Sequence, residues 1–129
     1  MAVSFSETEA NSFTSQHASS RVVIACINSP TNITLAGDIA SLDRLEELLH
    51  SRRILNQRLR VDVAYHSSHM EAMATNYQKA ISQVVLGERI QGRTMFSAVT
   101  GEEIHVTDLG STYWIKNLVS QVKFSGCSH

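Results

Sequence analysis

The sequence is short of several things, and each shortage narrows the reading. It holds two cysteines, Cys26 and Cys127, far apart and in no motif. A disulfide-built scaffold and a cysteine-rich zinc module are thereby excluded. Cys26 lies in an apolar run and reads as a small buried hydrophobe. A reducing, cytoplasmic setting is the expectation. Neither sign of charge dominates: the net charge is −1, and aromatic residues make up only 6%. A nucleic-acid partner, which needs a basic face, is not expected. No apolar run approaches the ~20 residues of a membrane span, so no membrane partner is expected. The opening MAVSFSETEA has neither a basic start nor an apolar stretch, so no signal peptide is read there. A G-x-S-x-G nucleophile elbow is also missing, and DLGSTYW (Asp108–Trp114) comes nearest without being one.

What remains is an ordinary globular balance, with 43% hydrophobic and 18% charged residues in a chain of one-domain length. Met1–Phe5 is short, apolar and flanked by serine, and predicts a strand. Ser6 and Glu9 make a capping box for a helix to about His17. Arg21–Asn28 reads as a buried strand and Ile33–Gly37 as a second. The turn residues between them, including the only proline, make the pair a hairpin. Asp38 caps a helix whose Ile39, Leu42, Leu45, Leu48 and Leu49 share one face. Leu59, Val61 and Val63 then alternate with Arg58, Arg60 and Asp62, the pattern of a half-buried strand.

Strand, helix, strand, strand, helix, strand is the split βαβ, or ferredoxin-like, order. The expected fold class is therefore α+β, with a ferredoxin-like subdomain over residues 1–63. The remainder does not repeat it. Ser68 and Glu71 suggest a second capping box, followed by a helix with Met70, Met73, Tyr77, Ile81 and Val84 on one face. A looser stretch, 87–93, leads to a strand and turn over Thr94–Ile104. A last helix begins near Ser111, which is its expected cap.

VDVAYHSSHME (Val61–Glu71) carries the chemistry-bearing residues. His66 and His69 stand three apart where a strand gives way to a helix. Zinc is one reading, but catalytic zinc takes about three protein ligands and structural zinc about four, and the other histidines are scattered. A histidine bonding the local backbone at a helix start is the plain reading. Catalysis is the third. A ring near the positive end of a helix feels a field that disfavours the imidazolium, and a neutral imidazole is what a general base requires. Such a base also needs a nucleophile and a partner that sets its tautomer.

ACINSPTNITLAGD, the leucine-rich helix, RLRVDVAYHSSHM, MFSAVTG and YWIKNLVSQVKF together resemble the acyltransferase domain of polyketide synthases. The likeness is to the malonyl-CoA:acyl-carrier-protein transacylase region of fungal, highly reducing synthases, and it runs from about Met1 to Ser125. It implies an α/β-hydrolase-like core with an inserted ferredoxin-like subdomain. Residues 64–125 would then be part of that core, with 126–129 an atypical tail. It also implies ping-pong transfer of a malonyl group from coenzyme A, through a serine, to the phosphopantetheine thiol of a carrier protein. No cofactor is implied beyond those substrates. The partners implied are the acyl carrier protein and neighbouring synthase domains.

Carried over residue by residue, the resemblance makes His66 the base that activates the serine. Asn117, in KNLVS, orients it through a main-chain carbonyl. His69 becomes local support, and Asn28 a residue on a loop lining the cleft. Tyr65, immediately before the base, matches the aromatic type that goes with malonyl rather than methylmalonyl. A ring beside the acyl α-carbon leaves little room for a methyl, a preference of ~1–3 kcal/mol.

The chain departs from the family in three respects. The serine elbow and the arginine that pairs with the malonyl carboxylate would both lie before Met1. Gln121 stands where the family has proline. The final GCSH does not continue the pattern. The expectation is that the chain alone is inactive, and that Met70, Met73, Trp114 and Leu118 are partly exposed. The competing reading, of another class, is a non-catalytic ferredoxin-like module or gene remnant that binds a protein partner.

Overall fold

The computed structural model describes residues 1–18, 21–88 and 91–127. Residues 89–90 of the loose stretch and 128–129 of the tail therefore lie outside the described residues. The chain opens with β1 (Ala2–Val3), shorter than the expected strand. The helix α1 (Glu7–His17) follows, and its capping box forms as the sequence suggests. Ser6 Oγ accepts from the Glu9 amide at 3.3 Å, and Glu9 Oε2 accepts from the Ser6 amide at 2.7 Å. Ala10 and Phe13 are its buried face, and the Phe13 ring lies 5.2 Å from that of Phe5.

Next come β2 (Val23–Ser29) and β3 (Asn32–Ala36), joined by a tight turn at Pro30 and Thr31. Gly37 ends the hairpin where a Cβ would stand 2.8 Å from the Arg21 carbonyl oxygen, so only glycine passes. In α2 (Ile39–Ser51), Asp38 caps by accepting from the Ser41 amide at 2.8 Å. Leu42, Leu45 and Leu49 are buried and Leu48 packs beside them. Ile39 departs from that stripe and is 77% exposed. The strand β4 (Asn56–Gln57) closes this half.

The four strands form one sheet in the order β2-β3-β1-β4, with every neighbouring pair antiparallel. The side chains of α1 and α2 meet Val3, Ile33 and Leu35 in a single apolar cluster. Each leucine buried there stabilises the fold by about 1.5–3 kcal/mol. The last strand lies earlier than its alternation suggested. Pairing stops at Ala2 opposite Gln57. Among the described residues, Leu59 onward takes no part in that pairing. Leu59, Val61 and Val63 are accordingly exposed, and they line a cleft instead.

The second half packs α3 (Glu71–Ile81) against α4 (Ser111–Val119), with a hairpin of β5 (Met95–Phe96) and β6 (Glu103–Ile104) between them in sequence. Gly101 turns that hairpin at φ 82°. Two expected caps are replaced. A 3₁₀ turn, Ser68–Met70, precedes α3 and is capped by Ser67, so Ser68 and Glu71 form no capping box. At α4 the cap position is Gly110 rather than Ser111. The stripe on α3 is likewise thinner than expected: Met70 is buried, Met73 is 53% exposed, and Val84 lies beyond the helix. Trp114 and Leu118 are half-buried.

The chain after α4 joins the halves. Val122 adds to the free edge of β2 in parallel, its amide donating to Ala25 O and its carbonyl accepting from Ile27 N, both at 2.8 Å. Gln121 Nε2 donates to Ile24 O at 3.1 Å beside this bridge. Among the described residues no helix is long and apolar enough to cross a membrane.

Candidate active site

His66 sits at the end of the exposed run from Leu59, in the left-handed region at φ 58°. For a residue with a Cβ this costs roughly 1–2 kcal/mol, and such strain concentrates at functional sites. The C-terminal turns of α4 hold it there from two sides. The His66 amide donates to Leu118 O at 3.1 Å. The ring Nδ1 lies 2.8 Å from Asn117 O. A carbonyl oxygen only accepts, so Nδ1 carries the hydrogen and Nε2 is the acceptor nitrogen of the neutral ring. His66 and Asn117 are thus brought together through the main chain of Asn117 and not its side chain.

His66 also borders a cleft of about 590 Å³, whose wall includes Tyr65, Val61, Val63, Cys26, Thr34 and Ile39. Tyr65 is 48% exposed there, its ring centroid 6.5 Å from that of His66. Arg58 reaches the same cleft but is already ion-paired with Asp43 and Glu46. Burial pushes the Cys26 thiol up, against smaller opposing effects of the Met1 ammonium and then the Thr34 hydroxyl.

Two other sequence candidates stand elsewhere. His69 is exposed and turns back on Ser67: its amide lies 3.3 Å and its Nδ1 3.2 Å from Ser67 Oγ. Asn28 lies within β2, not on a loop. Its side-chain amide donates to Asn32 Oδ1 at 2.8 Å and Thr34 Oγ1 at 3.0 Å, and it is not among the described residues lining the cleft. Its amide is spent pinning the β2–β3 hairpin. No group of three or more histidine, cysteine, aspartate or glutamate side chains among the described residues could hold a metal ion.

The acyl transferase domain family matches residues 2–128 of the chain. The chain belongs to that family. Its curated relatives include the highly reducing polyketide synthase ltbA of Aspergillus luteorubrus, 46% identical over 97% of the chain. A reducing polyketide synthase of Cochliobolus heterostrophus is 44% identical over 96% of it. The chain spans only 4% and 5% of those two proteins. In three dimensions it is similar to the acyltransferase domain from module 8 of the salinomycin polyketide synthase, with a TM-score of 0.86 and 27% identity. That match covers 97% of this chain and 29% of the other. It also shares the fold of the malonyl CoA-acyl carrier protein transacylase from Burkholderia pseudomallei, with a TM-score of 0.84, 19% identity, and cover of 97% of this chain and 42% of that one. The chain is thus a member of the acyl transferase domain family with an α/β fold, and it spans only a small part of those relatives' length.

Sequence reasoning missed three participants. The Leu118 carbonyl left no side-chain signature. Ser67 caps the 3₁₀ turn where the sequence pattern points to its neighbour Ser68. Gln121 reads in sequence only as a departure from the family's proline, whereas its amide joins the exit of α4 to the sheet.

Proposed function

We propose that this chain is the base-carrying part of a malonyl-selective acyltransferase within a polyketide synthase. The single observation behind the reading is the 2.8 Å contact of His66 Nδ1 with Asn117 O, which leaves Nε2 as the acceptor nitrogen of a ring that borders the cleft. In the proposed cycle Nε2 takes the proton of a serine hydroxyl lying outside these 129 residues. The serine oxygen attacks the malonyl thioester carbonyl, the thioester C–S bond breaks, and His66 returns the proton to the departing coenzyme A sulfur. The phosphopantetheine thiol of a carrier protein then gives its proton to Nε2 and attacks the malonyl-serine ester, and His66 protonates the serine as it leaves. No cofactor beyond these substrates enters the cycle.

Asn117 is the orienting residue of this reading, and Tyr65 narrows the acyl pocket. His69 supports the turn. Residues 1–63 are taken as a ferredoxin-like subdomain, which the βαββαβ order and the sheet order β2-β3-β1-β4 support. Residues 64–125 are taken as part of the acyltransferase core. Carrier protein and adjoining synthase domains are the partners, in the cytoplasm.

The test is His66→Ala in the complete synthase. Malonyl transfer is expected to fall about 10²–10⁴-fold with the melting temperature unchanged. Transfer at the parental rate would overturn the reading. The 129-residue chain alone, incubated with malonyl-CoA, is expected to gain no stoichiometric malonyl adduct.

A further inference from the structure

We infer that Ser67 is a positioning residue for His66: its buried hydroxyl closes the turn that keeps His66 in the left-handed conformation and so selects the base's tautomer. The inference rests on the acyl-transfer reading only for its kinetic consequence. Its structural content stands on the turn itself.

The approach to His66 provides little support, since Leu59, Val61, Val63 and Tyr65 are all exposed. Support begins on the other side. Ser67 is only 3% exposed. Its Oγ donates to Ala64 O at 2.5 Å, reaching back across both Tyr65 and His66. The same oxygen accepts from the His69 amide at 3.3 Å, capping the 3₁₀ turn that follows. With its one hydrogen committed to Ala64 O, the oxygen also serves as the acceptor for His69 Nδ1 at 3.2 Å.

One hydroxyl therefore bridges the residue before the Tyr65–His66 pair and the turn after it. At φ 58° a histidine relaxes to negative φ unless its neighbours prevent it. Such a relaxation rotates the ring away from Asn117 O. The Nδ1 hydrogen then loses its acceptor, and the two neutral tautomers become closer in energy. A base presented as the wrong tautomer, or displaced by about 1 Å, can lose on the order of 10²-fold in rate.

Ser67→Ala and Ser67→Thr separate this role from plain stability. The first readout is nitrogen-15 NMR of the histidine rings in the 129-residue chain, which reports the tautomer without any turnover. The parent is expected to show His66 protonated on Nδ1, Ser67→Ala to show a mixture of tautomers, and Ser67→Thr, which keeps the hydroxyl, to restore the parental pattern. The second readout is kinetics in the complete synthase. Ser67→Ala is expected to lower kcat about 10²-fold with KM for malonyl-CoA little changed, and Ser67→Thr to recover most of it. An unchanged His66 spectrum in Ser67→Ala overturns the positioning role. A changed spectrum with unchanged kcat leaves positioning intact and instead overturns His66 as the base.

Discussion

The Tyr113 hydroxyl donates to Ser97 Oγ at 3.1 Å, and both groups are buried. Ser97 Oγ also accepts from the Val99 and Thr100 amides at 3.1 and 3.3 Å, so the bond fixes α4 to the turn of the β5–β6 hairpin. Tyr113→Phe removes one partner and is expected to cost about 1 kcal/mol in urea unfolding. Ser97→Ala withdraws an acceptor from two amides as well and is expected to cost about 1–3 kcal/mol. Equal midpoints for the two variants would contradict this ordering.

Leu45 stands at the centre of the apolar cluster, 1% exposed, on the same helix as the exposed Ile39. Leu45→Ala is expected to destabilise by about 2–5 kcal/mol, and Ile39→Ala by no more than about 0.5 kcal/mol. Paired thermal and chemical melts of the two variants check the contrast.

The helix caps make acid stability predictable. Asp38 is held below the ordinary carboxylate range, first by the Ser41 amide and then by its hydroxyl. Glu9 is lowered in the same way by the Ser6 amide and then its hydroxyl. A carboxyl whose folded pKa is depressed adds stability above its unfolded pKa and loses it as pH falls through the folded one. The melting temperature should therefore hold from neutral pH to about 5 and decline below about 4. Asp38→Asn with Glu9→Gln keeps both caps without titrating, and the decline should become shallower. A decline of unchanged steepness in the double variant would assign the acid sensitivity to other groups.

Tyr65 borders the cleft beside His66. In the complete synthase, Tyr65→Ser is expected to narrow the malonyl preference over methylmalonyl by roughly tenfold, within the ~1–3 kcal/mol that one methyl is worth. Competition between the two coenzyme A esters measures the ratio directly. An unaltered ratio would remove Tyr65 from the pocket.

Local signals carried far in this chain where chemistry and structure share the same residues. Ser6, Asp38 and the Leu42–Leu45–Leu49 stripe each act through their own side chain, and each stands where the sequence places it. Alternation at Leu59–Val63 failed for a different reason. A period of two says which way a side chain would face, but says nothing of whether a neighbouring strand exists to pair with. The cap at Gly110 offers no side-chain oxygen to notice. The site was legible in part. His66 stood out by type and place, but its positive φ depends on Ser67 and on carbonyls of a distant helix. Asn117 is visible only through family resemblance, because a main-chain acceptor can belong to any residue.

The contact between His66 and Asn117 spans 51 residues, and that of Gln121 with Ile24 spans 97. These separations set an order of assembly. A chain growing from its N-terminus has the whole four-stranded sheet in hand by Gln57, whereas His66 emerges long before the carbonyl that aims it. Val122 must then find the edge of β2 for the end of α4 to be anchored. The orientation of the His66 ring therefore depends on backbone 51 residues further along the chain, which the bridge of Val122 to β2 ties in turn to the sheet.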